Sequence, residues 1–198
     1  TREFCEALPL YREHGLLAVT VGLQGGGSVF TPEVYPHYRN SAFTDSGELK
    51  PATFARLQRI IEAADRIGMV VIVNYFYVQQ VRHVPDPAVF PALTARVTEW
   101  LLASGYENIL VDVANESAPF WKVPTFEPEN IHTFIDIVKN TSHQGRRLPV
   151  GASSAGGDHL ASGKWLETED FSMPHGNGCT PEALRAKLRA LKQTPEFT

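Results

Sequence analysis

A helix-forming stretch, a glycine or turn, and a short apolar run follow one another five times along this chain. That alternation restricts the fold more than any other feature of the sequence. The apolar runs are residues 16–21, 69–73, 109–114, 148–152 and, more weakly, 171–175. Most of them are nearly unbroken, as strands covered by helices on both faces require. Helices are predicted over 2–14, 51–67, 87–104, 128–140 and 181–191. The second carries Phe54, Leu57, Ile60, Ile61 and Ala64 on one stripe, and Gly15, Gly68 and Gly105 stand where helices stop.

Strands alternating with helices imply parallel pairing through right-handed crossovers. Periodicity alone leaves two architectures open. One is a complete doubly wound sheet binding a small ligand at its switch point. The other is part of a (β/α)8 barrel, which has eight strands and about 250 residues. No linker, internal repeat or low-complexity stretch divides the chain, so residues 1–198 read as a single domain. Thr1 opens almost directly into helical sequence and Thr198 follows closely on a helix, so the chain is expected to be incomplete at both ends.

A net charge of -4 argues against nucleic acid or an anionic membrane as partner. No apolar run approaches the roughly 20 residues that span a bilayer. Cys5 and Cys179 are expected to be plain thiols. The histidines show no metal-type spacing and no phosphate-binding glycine loop occurs, so neither a metal nor a cofactor is expected.

In parallel α/β folds function gathers at the carboxyl ends of the strands. Here those ends carry Gln24, then Asn74, Tyr75 and Tyr77, then Asn115 and Glu116, then Ser153 and Ser154, and last His175 and Asn177. Amides, phenols, a carboxyl and an imidazole are the groups that hydrogen-bond sugar hydroxyls. Phe30, Tyr35, Phe120 and Trp121 in adjoining loops offer stacking surface. Ser153 and Ser154 do not meet the spacing of a nucleophile elbow. Tyr75 and Tyr77 also fit packing roles, and Gln24 a turn. Glu116 is poorly placed for structure alone, because a carboxyl desolvated at a strand end holds its proton, as a general acid must. Its bland alternatives are a cap of the next segment or an ion pair with Arg82 or Lys122. Asp112, inside the strand, is expected to meet a buried partner.

The stretch Val111-Asp112-Val113-Ala114-Asn115-Glu116 resembles the fourth strand of the clan A glycoside hydrolases, cellulase-like barrels of the family 5 type. The likeness runs through "YREHGLLAVTVGLQGG", "SAFTDSGELKPATFARLQRIIEAADRIGMVVIVNYFY", "WLLASGYENILVDVANE", "GRRLPVGASSAGG" and "HGNG", which is essentially the whole chain. It implies a partial TIM barrel, strands two to six with their helices. The implied activity is retaining hydrolysis of O-glycosidic bonds in a β-linked oligosaccharide or polysaccharide. It implies Glu116 as acid/base, Asn115 as reader of the sugar 2-hydroxyl, and His175 near the aglycone or nucleophile side. Gln24, Tyr75 and Asn177 are expected sugar contacts by position. The family's nucleophile, a Glu ending strand seven, has no counterpart in these 198 residues, so the chain by itself is expected to be inactive. A barrel that binds carbohydrate without cleaving it is the competing expectation.

Overall fold

The structure is a computed structural model that describes residues 1–26, 38–118 and 122–197. In chain order its elements are α1 (Arg2–Glu13), β1 (Ala18–Gly22), β2 (Gln24–Gly25), β3 (Asn40–Ser41), α2 (Pro51–Asp65) and β4 (Val70–Tyr77). Then come α3 (Val78–Val81), α4 (Val89–Ala103), β5 (Ile109–Asn115), α5 (His132–Asn140) and β6 (Val150–Gly151). The chain continues through β7 (Ser153–Ser154), α6 (Lys164–Thr168), β8 (Met173–Pro174) and α7 (Pro181–Lys192).

Strands β1, β4, β5 and β6 lie side by side in that order, all parallel, with Val73 opposite both Val21 and Val111. Ala152 alone separates β6 from β7, whose Ser154 bridges to Ser117 beyond β5. β8 then pairs parallel with β7. Spatial order therefore follows chain order through the described parallel strands, with no reversal. A doubly wound sheet binds its ligand at such a reversal, so this order removes that alternative and fits consecutive strands of a barrel.

The helices cover the sheet as their stripes predict. Phe54, Leu57 and Ile61 of α2, Val97 and Leu101 of α4, and Phe134, Ile135 and Val138 of α5 are all buried in one core with Val71, Val73, Val111 and Val113. An aromatic cluster sits under the end of β5. The Phe126 ring stacks on Phe134 at 4.8 Å and meets Phe76 at 5.0 Å. Phe126 belongs to a short 3-10 turn, Pro124–Phe126, and its carbonyl accepts the hydroxyl of Ser117 at 2.9 Å. The cluster thus anchors the segment that follows Glu116.

The structure corrects several boundaries. Leu16 and Leu17 are 44% and 61% exposed and precede the first strand. The helix predicted from 128 begins at His132, and the run 148–152 is divided between β6 and β7. The β2–β3 ladder and the short helices α3 and α6 were not expected. Cys5 and Cys179 are free thiols. Phe30, Tyr35, Phe120 and Trp121, expected as stacking surface, lie outside the described residues.

Candidate active site

Alternation along β5 turns Asp112 to the face opposite Val111 and Val113. A carboxylate buried there needs donors on both oxygens. It has them. Ser153 gives its backbone N–H at 2.9 Å and its hydroxyl at 3.0 Å, Asn74 its amide at 3.0 Å, and Ala114 its N–H at 3.3 Å. Burial nevertheless pushes the Asp112 carboxyl up to about 6, against the pull of these donors. Asp112 is thus the buried, partnered residue that its place in the strand predicts.

Four residues on, Glu116 leaves the strand with φ 58, in the left-handed region that residues other than glycine rarely adopt. Its amide donates to Ser153 Oγ at 2.9 Å, and the next amide, of Ser117, donates to the Ser153 carbonyl at 2.8 Å. The side chain, 23% exposed, points across the strand ends toward the segment after β8. There His175 Nδ1 lies 2.9 Å and Asn177 Nδ2 2.5 Å from the same oxygen, Glu116 Oε1. Asn177 donates. The His175 ring donates to a carboxylate, or accepts from the acid form, according to its tautomer.

Two further features hold that segment in place. Gly156 stands against the Asn177 carbonyl so closely that an added Cβ would collide with it. The ammonium of Lys187 on α7 donates to the carbonyls of Ala155 at 2.7 Å and His175 at 2.9 Å. Lys187 is 7% exposed, and its desolvation lowers the affinity of the amine for its proton.

A groove of about 320 Å³ is walled by Thr20, Gly22, Gln24, Asn74, Tyr77 and Asn115, the residue before Glu116, among others. Asn115 makes no side-chain hydrogen bond to another described residue. The Tyr77 phenol is raised from its ordinary value, first by burial and then by the negative field of Glu116, with Arg82 opposing and Tyr38 adding.

Two of the expected sugar contacts have their polar atoms engaged within the fold. Gln24 is buried, its Nε2 donating to Ser41 Oγ at 3.2 Å and its Oε1 accepting the Tyr77 amide at 3.0 Å. It is a strut fastening the β2–β3 ladder to the end of β4. Tyr75 is wholly buried, with its hydroxyl 3.1 Å from Thr98 of α4 and its phenol pushed up by burial. It has no surface to offer a ligand. Asn74 and Tyr77, three residues apart, both line the groove, so strict alternation fails between them and the sequence could not tell one tyrosine from the other.

Two solved glycoside hydrolases share this fold. A β-glucosidase superposes with TM-score 0.63 at 14% identity, over 97% of this chain and 65% of its own. A chitinase from Bacteroides thetaiotaomicron superposes with TM-score 0.59 at 11% identity, over 92% and 64%. The chain spans less than two thirds of either structure. No family model matches the sequence, and no curated protein is similar to it. The parallel sheet and these neighbours together fit part of a TIM-barrel-like fold.

Sequence reasoning missed Lys187, although a signal was present. Leu184, Lys187 and Leu191 share the stripe of α7 that faces the sheet, and a lysine on such a stripe needs buried acceptors. It also missed the part played by Ser153, whose hydroxyl is shared between the Glu116 amide and Asp112.

Proposed function

We propose that this chain carries the acid/base side of a retaining O-glycoside hydrolase acting on a β-linked glycan, with Glu116 as the acid/base. The observation that carries the reading is the Glu116 carboxyl at the carboxyl end of a parallel strand, engaged by His175 and Asn177 beside a groove lined by Asn115 and Tyr77. A sugar lying in that groove places its 2-hydroxyl on the amide of Asn115 and an apolar face on the Tyr77 ring. Glu116 then protonates the departing glycosidic oxygen. With its proton given up, the carboxylate is held by the Asn177 amide and the His175 ring, and in the second half-reaction it draws a proton from water. Retention needs a second carboxyl about 5–5.5 Å away across the scissile bond. In the family that the sequence resembles, a Glu ending strand seven supplies it.

The test is steady-state hydrolysis of aryl β-glycosides by the full-length gene product and by Glu116→Gln. Loss of the acid should lower turnover of glycosides with poor leaving groups by about 10²–10⁴. The first product should keep the β configuration by NMR. Turnover within a few-fold of the parent protein would remove Glu116 from the chemistry. Glycan binding with no turnover by the parent would favour the non-catalytic barrel.

A further inference from the structure

We propose that Asp112 and Ser153 are positioning residues for Glu116, a buried pair that fixes the peptide from which the acid side chain projects. This rests on the role proposed for Glu116. The need for such a device is visible in the backbone. A left-handed conformation crowds the Cβ of any residue other than glycine, so the Glu116 peptide relaxes unless its surroundings hold it. Relaxation would swing the carboxyl away from His175 and Asn177.

Ser153, on a neighbouring strand, holds it. Ser153 takes the Glu116 amide on its hydroxyl oxygen at 2.9 Å and the Ser117 amide on its carbonyl at 2.8 Å, clamping both N–H groups on either side of the left-handed step. The hydroxyl has a single hydrogen and two acceptors within reach, Asp112 Oδ2 at 3.0 Å and the Ala114 carbonyl at 3.2 Å. A carboxylate is the stronger acceptor. Donation to Asp112 leaves a lone pair for the Glu116 amide and stops the hydroxyl from turning. Asp112 also fixes Ser153 itself by accepting its backbone N–H at 2.9 Å, and Asn74 steadies Asp112 from β4. Three adjacent strands are thereby joined in one hydrogen-bonded line that ends at the catalytic peptide. Neither Asp112 nor Ser153 lines the groove, so neither touches a sugar lying there.

The experiment compares kcat/KM for two aryl β-glycosides in the full-length gene product: phenyl, which needs its leaving oxygen protonated, and 2,4-dinitrophenyl, which departs unaided. Ser153→Ala and Asp112→Asn are measured beside Glu116→Gln. Displacement of the acid should cost Ser153→Ala and Asp112→Asn about ten- to a hundredfold on the phenyl glycoside. The 2,4-dinitrophenyl glycoside should change by less than about threefold. The ratio of the two constants does not depend on the fraction of enzyme folded, so partial loss of protein leaves the result intact. Equal losses on both substrates, or no loss on either, overturn the assignment. If Glu116→Gln shows the split and the other two do not, only the positioning role fails. If Glu116→Gln shows no split, the acid role fails first.

Discussion

His175 and Asn177, two residues apart on the segment after β8, meet one and the same carboxylate oxygen of Glu116. The intervening Gly176 carries no side chain to part them, and Lys187 holds the His175 carbonyl from below. A histidine and an amide thus converge on a carboxyl from the far side of the β6–β7 line.

From this convergence follows an ordering of effects. A hydrogen bond to a charged group is worth about 1.5–3 kcal/mol, so Asn177→Ala should lower kcat/KM for an aryl β-glycoside by about ten- to a hundredfold. His175→Ala should cost at least as much, because it removes the ring together with the hydrogen bond to the same oxygen. Steady-state kinetics on the full-length protein decide the matter. Variants that both stay within twofold of the parent would show that the convergence serves packing.

The two tyrosines of β4 should separate cleanly. Tyr75→Phe removes a buried hydroxyl contact with Thr98, so denaturant unfolding should show a loss of about 1 kcal/mol while KM and kcat stay unchanged. Tyr77→Ala removes a ring from the wall of the groove and should raise KM by about three- to tenfold. The reverse pattern would place the sugar elsewhere.

That pair also marks how far the sequence could be read. The parallel sheet, its helices and the burial of Asp112 all follow from apolar runs and helical stripes, signals set within one element. Glu116 and Asn115 stood out because polar residues directly after an apolar strand have few structural uses. What stayed hidden depends on distances between elements. The direction of Tyr77 turns on a local break in alternation, the commitment of Gln24 on the β2–β3 ladder, and the importance of Ser153 on a hydroxyl shared by two strands. Lys187 was legible in principle as a cation on a core stripe, but its acceptors lie 12 and 32 residues away in the chain.

The last expectation concerns stability and pH. Glu169 lies between α6 and β8, accepting the Trp165 indole N–H at 2.8 Å and the Ser172 hydroxyl. Burial outweighs these donors and raises its carboxyl from 4.5 to about 7, with the Asp112 charge adding to the rise. The folded protein therefore keeps this proton through a range in which the unfolded chain has released it. Stability from the group is complete below about pH 4.5 and is lost as pH climbs through about 7; Asp112 acts in the same sense between its ordinary 3.8 and about 6. Glutamine at 169 has no proton to lose, and its amide oxygen still accepts from Trp165. Glu169→Gln should accordingly flatten the decline in stability between pH 5 and pH 7.5, gaining on the order of 1–2 kcal/mol over the parent at the upper end and little at the lower. Urea unfolding of both proteins across that range is the measurement. Parallel curves for the two would mean that Glu169 is ionised in the folded state at all these pH values.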